Sequence, residues 1–175
     1  ATEVELQAVK EIEAALAGGV AAAAPAANPG KIKPKFEIVT GLCNAKGQFE
    51  GATIAEAAQL AKKPNSDQAY CIVPAGKAKL IVTALTPQGL YYGALTVAQL
   101  VTAGRLIAGP STATAGQQDA GAPTATATAL PLVRVVDWPD LAERGVWGAY
   151  AIPDLEWMAA QKLNLIESHS TLKLD

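Results

Sequence analysis

Two apolar, β-branched runs and the segment after them constrain the fold most. "QAYCIVP" (68–74) and "AKLIVTAL" (78–85) have the composition of strands, and only "AGK" joins them. A connection this short predicts an antiparallel hairpin. In the segment after the hairpin, apolar residues recur at helical spacing: Leu90, Ala94, Val97, Leu100 and Val101. The spacing predicts a helix with one face buried against the sheet.

The start of this helix carries its own signals. Thr86 is a suitable N-cap residue, and Pro87 suits the first helical position. Gly89 and Gly93 follow within two turns, and each costs up to about 1 kcal/mol relative to alanine inside a helix. Glycine at such positions indicates close packing against a neighbouring element.

Two further segments show capping-box spacing. Thr2 lies three residues before Glu5 at the start of an amphipathic stretch over 2–19. Thr53 and Glu56 repeat the spacing at the start of "TIAEAAQLAKKP". Both segments are therefore predicted to be helices.

The remaining segments complete the order of elements. A short strand is predicted over 35–41, and the Ala-, Thr- and Gly-rich stretch 109–128 is predicted to be a surface loop. The order up to residue 130 is helix, strand, helix, strand, strand, helix. This order predicts an α/β (α+β) fold in which helices pack on a mixed sheet.

Composition excludes several classes of function. Of the 175 residues, 50% are hydrophobic and 17% charged, which indicates a globular chain. A net charge of -2 gives no electrostatic case for nucleic acid or an anionic membrane as a partner. No apolar run approaches the roughly 20 residues that span a bilayer.

Candidate catalytic and metal-binding groups are few. His169 is the only histidine, which excludes a Ser-His-Asp triad within the first 140 residues. No phosphate-binding glycine pattern and no pair of metal ligands at a recognisable spacing is present, so no cofactor and no metal are predicted. Cys43 and Cys71 leave two alternatives, buried small apolar side chains or a single disulfide.

Two motifs carry a resemblance to a known family. The helix after the hairpin contains the first motif, Gly89, Tyr91, Tyr92, Gly93, Thr96, Gln99 and Leu100. The second follows an apolar strand and comprises Asp137, Trp138, Pro139, Arg144 and Gly145. At this separation they resemble the small α/β domain that precedes the catalytic barrel in β-N-acetylhexosaminidases of glycoside hydrolase family 20. The related family 84 enzymes and α-glucuronidases have the same small domain.

The resemblance implies a division of the chain into two parts. Residues 1–140 correspond to the small α/β domain, and residues 141–175 to the first strand, helix and second strand of a truncated (β/α)8 barrel. Apolar residues on one face of the intervening segment agree with a helix there: Leu155, Met158, Ala159 and Leu163. A complete barrel needs about 250 residues, so we expect its other strands to lie beyond Asp175.

The resemblance also implies an activity. The family hydrolyses N-acetylhexosaminides by a substrate-assisted route, in which the substrate's own acetamido oxygen attacks the anomeric carbon. A carboxylic acid protonates the leaving oxygen, and a neighbouring carboxylate orients the acetamido group. In the family both follow the fourth strand, so no catalytic residue is expected before Asp175 and the fragment is expected to be inactive. The expected partners are a carbohydrate in the intact parent and a second copy through the incomplete barrel, and the family favours a secreted or periplasmic location.

Two residues are implied to bind substrate. Arg144 matches the family's arginine at the first strand, where a planar fork of donors can hold two adjacent sugar hydroxyls. An ion pair with Glu143, Asp140 or Asp137 is the alternative. His169 matches the histidine at the end of the family's second strand.

Departures from the pattern leave alternatives open. "VWGAYAIP" and "STLKLD" replace acidic and basic residues that the family usually shows after each strand. The sugar could therefore be N-acetylglucosamine, N-acetylgalactosamine or a uronic acid, the last in an α-glucuronidase-like enzyme. A noncatalytic bracing or interaction domain is a further alternative. Trp138 is expected to wedge between the two parts, and Trp147 and Trp157 to serve barrel packing.

Overall fold

In the computed structural model of the chain, the predicted hairpin is the centre of a four-stranded mixed sheet. The structure describes residues 1–17, 36–108, 130–147 and 154–167. In chain order, the elements are α1 (Glu3–Ala17), β1 (Glu37–Leu42), β2 (Gln48–Phe49), β3 (Ala52–Thr53), two 3₁₀ helices (Ala57–Lys62 and Ser66–Gln68), β4 (Tyr70–Pro74), β5 (Lys79–Ala84), α2 (Pro87–Ala108), β6 (Val135–Asp137), β7 (Gly145–Trp147), α3 (Leu155–Ala160) and β8 (Leu165–Glu167). The chain divides into two compact units, Ala1–Trp138 and Pro139–Asp175.

The sheet of the first unit has the order β1-β5-β4-β6. β4 runs antiparallel to both β5 and β6, whereas β1 runs parallel to β5. The two hairpin strands therefore occupy the middle of the sheet. Because side chains alternate between the faces of a strand, a central strand buried on both sides reads as a nearly continuous apolar run. The sequences of β4 and β5 have this character, and helices packed on a mixed sheet confirm the predicted α/β class.

Helices α1 and α2 cover one face of the sheet. The buried cluster between these helices and the sheet comprises Ala8, Ile12, Tyr70, Ile72, Leu80, Val82, Ala84, Leu90, Tyr92, Ala94, Leu95, Val97 and Val101. The predicted apolar stripe of α2 supplies much of it. α2 begins as predicted, since the Gly89 amide donates to Thr86 Oγ1 at 3.2 Å and Pro87 is its first residue.

The two glycines of α2 let the helix approach the sheet closely. A Cβ atom at Gly89 would lie 2.5 Å from the main-chain oxygen of Ala69, and one at Gly93 would lie 2.9 Å from Val82 Cγ1. Such distances are well below ordinary van der Waals contact. The predicted close packing is confirmed, and glycine is the residue that allows it.

A smaller apolar cluster covers the opposite face of the sheet. The β2–β3 hairpin and the first 3₁₀ helix contribute to it, and its buried members are Cys43, Phe49, Ile54, Ala57, Leu60, Ala69, Cys71 and Val73. Both cysteines are free thiols. Cys43 follows β1 and Cys71 lies in β4, with β5 between them, and two strand spacings of about 4.8 Å exceed the Cα separation that a disulfide allows. Of the two alternatives, the structure therefore confirms buried apolar cysteines.

One capping box forms and the other does not. At the start of α1, the Thr2 amide donates to the Glu5 carboxylate and the Glu5 amide donates to Thr2 Oγ1. The helix predicted after Thr53 and Glu56 is wrong in type and in its cap. Thr53 belongs to β3, and Glu56 precedes a six-residue 3₁₀ helix without capping it. The Glu56 carboxylate instead accepts a hydrogen bond from Arg134.

The second unit contains a parallel strand pair. β7 and β8 pair with Gly145 opposite Leu165 and Trp147 opposite Glu167, and α3 lies between the strands in sequence. The strand–helix–strand order predicted for this region is confirmed, although α3 is shorter than its apolar pattern suggested. The loop predicted over 109–128 lies outside the described residues. Within the described ranges, no helix combines the length and apolar character needed to cross a membrane.

A buried tyrosine ties three elements of the first unit together. Tyr70 in β4 shares a hydrogen bond of 2.6 Å with Thr96 Oγ1 on α2 and donates one of 2.5 Å to Asp137 Oδ2 at the end of β6. Burial and the hydrogen bond to Asp137 raise the pKa of Tyr70 above the ordinary tyrosine range. The phenol therefore stays protonated and holds β6 against the centre of the sheet.

Replacing Tyr70 with phenylalanine should lower the free energy of unfolding by about 1–3 kcal/mol at neutral pH, because Asp137 and Thr96 lose a buried partner. The raised pKa also predicts that the wild-type chain loses stability as the pH rises above about 10, since only the unfolded state releases the phenolic proton there. Tyr70→Phe should lose less stability over that range. Urea unfolding, followed by circular dichroism at both pH values, measures the two effects.

The matched control is Tyr91→Phe, because Tyr91 is a half-buried tyrosine on α2 and the network consists of Tyr70, Thr96 and Asp137. We expect it to change stability by only a few tenths of a kcal/mol. A loss in Tyr70→Phe no larger than in the control would contradict a stabilising role for the network.

Candidate functional site

The amino ends of β7 and β8 are joined by an arginine and an asparagine. The main-chain amide of Arg144 donates to Asn164 Oδ1 at 2.8 Å, and the main-chain amide of Asn164 donates to the Arg144 carbonyl at 2.7 Å. Asn164 Nδ2 donates to the Ala142 carbonyl at 2.8 Å. The Asn164 side chain therefore acts as an additional rung next to the strand pair and extends its hydrogen bonding toward the preceding loop.

The guanidinium of Arg144 contacts main-chain carbonyls on both sides of this rung. Nη1 donates to the Leu141 carbonyl at 2.7 Å, and Nη2 donates to the Lys162 carbonyl at 2.9 Å. Hydrogen bonds from a charged donor are stronger than those between neutral groups. In the described structure, the fork of donors thus clamps the loop before β7 to the loop before β8.

The end of α3 presents the Lys162 carbonyl to this clamp. Lys162 has a φ of 58°, in the left-handed region, and the amides of Lys162 and Leu163 donate to the carbonyls of Ala159 and Met158. This is the pattern of a Schellman C-cap with lysine where glycine is usual. The left-handed turn reverses the chain, so the helix end and the start of β8 both reach Arg144.

Gly145 allows the two strands to pair at this end. A Cβ atom at that position would overlap the main-chain oxygen of Leu165. The Arg-Gly dipeptide therefore combines a side chain that clamps the loops with a residue that leaves room for the neighbouring strand.

The structure describes one of the two predicted sugar-binding residues. Arg144 lies immediately before β7, at the amino end of the parallel pair, with both terminal nitrogens hydrogen bonded to the main chain. Its binding of a sugar through those nitrogens would require both bonds to be exchanged, and this role stays a prediction. His169 lies outside the described residues, and its role also stays a prediction.

The carboxyl ends of β7 and β8 carry different chemistry. Trp147 and Glu167 are the last residues of their strands and stand opposite each other in the register. Alternation along the strands places them on the more exposed face, whereas Val146 and Ile166 lie on the less exposed one. Trp147 is 72% exposed. This end of the pair therefore offers an aromatic ring and a carboxylate to solvent.

Sequence reasoning missed this juxtaposition. Trp147 was expected to serve packing, and Glu167 carried no motif. Trp147 lies two residues after Gly145, and Glu167 lies two residues after Leu165. This equal spacing places Trp147 opposite Glu167 only once Gly145 and Leu165 are known to pair.

The first unit offers fewer chemical groups. Trp138 packs on the cluster below the sheet, and the Lys63 ammonium lies 3.7 Å from the centre of its ring. This cation–π contact lies within the first unit.

A groove of about 340 Å³ between α1 and β1 is lined by Val9, Ile12, Glu13, Leu16, Phe36, Ile38 and Thr40. Its lining is mainly apolar, without the convergent polar groups that orient a small ligand.

Buried titratable groups of the first unit are also unsuited to catalysis at neutral pH. Burial raises the pKa of Cys71 to about 12, with a further contribution from the nearby Cys43, whose own pKa is raised by burial. Both thiols therefore stay protonated and unreactive. Across the described residues, no group of three histidine, cysteine or carboxylate side chains is placed to hold a metal ion.

No protein-family model matches the chain, and no curated protein matches its sequence.

Replacing Asn164 with alanine should loosen the amino ends of β7 and β8, because the Arg144 amide and the Ala142 carbonyl each lose their side-chain partner. We expect the free energy of local opening to fall by about 1–3 kcal/mol. Hydrogen exchange of peptides covering 139–147 and 161–167, read by mass spectrometry, measures the change.

The matched control is Lys162→Gly. Glycine keeps the main-chain carbonyl that Arg144 uses and removes the strain of a left-handed lysine, so exchange should stay equal or become slower. Unchanged exchange in Asn164→Ala would show that the side-chain rung contributes nothing to the pairing of the strands.

Proposed function

We propose that this chain is the N-terminal part of a glycoside hydrolase that acts on N-acetylhexosaminides, and that it is inactive as cut. The observation that carries the proposal is the parallel β7–β8 pair with one helix between its strands, placed directly after a small mixed-sheet unit. This is the order of parts expected where a family 20-like domain is followed by the first strands of a (β/α)8 barrel.

Exposed apolar side chains of the second unit support this interpretation. Parallel sheets in proteins are covered on both faces and seldom consist of two strands. Among the described residues of the second unit, five large apolar side chains are at least 40% exposed: Leu141, Trp147, Leu155, Trp157 and Leu165. Further strands and helices of the same barrel would bury such residues. In the isolated chain, the same surface favours self-association.

The motif residues support it from the first unit. Gly89 and Gly93 lie where α2 meets the sheet, and Asp137 accepts the hydrogen bond from Tyr70 at the end of β6. Both motifs of the resemblance therefore have structural tasks that a small bracing domain requires. In the intact enzyme, we assign this domain the task of supporting the barrel.

The chemistry would come from the rest of the barrel. Active sites of (β/α)8 enzymes lie at the carboxyl ends of the strands and draw residues from several of them. In the proposed reaction, the substrate's acetamido oxygen attacks the anomeric carbon while a carboxylic acid protonates the leaving oxygen, and both catalytic carboxylates follow a later strand. The sugar-contacting roles of Arg144 and His169 belong to this proposal.

The test is an activity assay of the complete gene product beside the 175-residue chain. We expect the complete product to hydrolyse an aryl β-N-acetylglucosaminide or N-acetylgalactosaminide with saturation. The shorter chain should show no turnover above buffer, because it lacks the catalytic carboxylates.

The matched control substrate is the aryl β-glucoside. It lacks the acetamido group, so the substrate-assisted route predicts much slower hydrolysis. Turnover by the 175-residue chain would contradict the proposal. So would a complete product that cleaves only an aryl glucuronide, or a gene that encodes no further strand–helix units.

A further inference from the structure

Strand β1 forms one edge of the four-stranded sheet, and among the described residues no strand pairs with its outer side. The main-chain amides of Glu37 and Cys43 donate to carbonyls of the β5 segment, each at 2.9 Å. Alternate residues of a strand direct their main-chain groups to the same side. The amides and carbonyls of Ile38, Thr40 and Leu42 therefore point away from β5, toward the open edge.

The outer side of β1 lacks the features that protect an edge strand. Natural proteins guard such edges with charges, prolines, bulges or very short strands. Residues 38–42 contain no charge and no proline, and β1 pairs with β5 over six residues without interruption. The opposite edge strand, β6, has only three residues. The backbone of β1 is therefore suited to pair with one more strand.

The groove between α1 and β1 adjoins this edge and has room for side chains of an added strand. Phe36, Ile38 and Thr40 line its β1 side, and Val9 and Ile12 line its α1 side. Its volume of about 340 Å³ is roughly twice that of a cavity that holds benzene. Every second side chain of an added strand projects from the same face as Ile38 and Thr40, and so enters the groove.

Charge specifies the ligand further. Among the described residues that line the groove, Glu13 is the only charged one, and its side chain is exposed. Helix α1 contains four glutamates and one lysine, which gives it a net charge of −3. A segment with a lysine or arginine on its groove-facing side therefore matches the charge of this wall.

We propose that β1 binds an extended peptide segment of a partner protein by strand addition. Alternate apolar side chains of the segment fill the groove, and a lysine or arginine on the same face pairs with Glu13. The inference is independent of the proposed function, because the chain leaves the first unit from β6, at the opposite edge of the sheet.

A second copy of the chain is a poorer occupant of the same edge. Antiparallel pairing of two β1 strands places both α1 helices on the same face of the joined sheet. Because each helix is acidic, the two repel. In addition, β1 itself contains no lysine or arginine to pair with Glu13.

The test uses the 175-residue chain and a short capped peptide in which two valines and one lysine alternate with threonines. The valines and the lysine then share one face of the extended peptide. We expect saturable binding with a dissociation constant of about 1 mM or lower, measured by fluorescence anisotropy of the labelled peptide. Binding should also slow hydrogen exchange of the amides in 38–42, read by mass spectrometry.

Two N-methylated forms of the peptide test the strand pairing. One form blocks the amides of the valines and the lysine, and the other blocks the amides of the intervening threonines. A strand added to an edge uses only alternate amides for that edge. One form should therefore bind at least about tenfold more weakly, and the other nearly as well as the unmodified peptide.

Protein variants test the two contacts with the peptide. Thr40→Pro removes an outward amide and keeps the bonds to β5, so binding should weaken about tenfold, whereas Thr40→Val should bind at least as well as wild type. Glu13→Gln should remove a roughly threefold preference for the lysine peptide over one with glutamate at that position. Glu3→Gln is the matched control, about 15 Å away along α1, and should keep the preference.

Absence of saturable binding would overturn the inference, as would equal binding of the two N-methylated peptides or a lysine preference that survives Glu13→Gln. Circular dichroism shows whether each variant folds, and the N-methylated peptides test the wild-type chain if Thr40→Pro does not. Self-association that Thr40→Pro abolishes, without any binding of the peptide, would assign the edge to a second copy instead.

Discussion

The first unit depends on burial of the β4–β5 hairpin on both faces. Its two strands occupy the centre of the sheet, so their side chains must be covered by helices on one face and by the β2–β3 hairpin and a 3₁₀ helix on the other. Close approach of α2 through Gly89 and Gly93 completes one of these layers. The Tyr70 hydroxyl then fixes β6, the strand from which the chain leaves the unit.

The second unit is organised by the difference between its two ends. At the amino ends, the clamp made by Arg144 and Asn164 satisfies main-chain groups that a short parallel pair would otherwise leave to water. At the carboxyl ends, Trp147 and Glu167 are directed to solvent. In barrels of parallel strands, residues at the amino ends serve stability and residues at the carboxyl ends serve function.

Local signals in the sequence predicted the elements whose causes are local. The short "AGK" connection, the Thr86 cap and the Thr2–Glu5 capping box each involve residues a few positions apart, and all three form. The second capping box does not form: Thr53 pairs with Gln48 in the β2–β3 hairpin, and the Glu56 carboxylate binds Arg134, 78 residues away in sequence. Strands of two residues, such as β2 and β3, are too short to give a period-two pattern.

The candidate site was harder to predict for the same reason. The guanidinium of Arg144 donates to main-chain carbonyls, and because every residue has one, the sequence does not show which of them it binds. The pairing of Trp147 with Glu167 depends on strand register, which spans 20 residues and a helix. The Arg-Gly motif predicted a role for Arg144, whereas no local pattern predicted that Trp147 lies opposite Glu167.

A crystal structure of the complete gene product with a bound N-acetylhexosamine tests the central claim most directly. We expect β7 and β8 to be neighbouring strands of a closed (β/α)8 barrel, with the sugar at the carboxyl ends of the strands of that barrel. A complete product in which β7 and β8 are not part of a barrel, or a sugar bound outside that barrel, would contradict the claim.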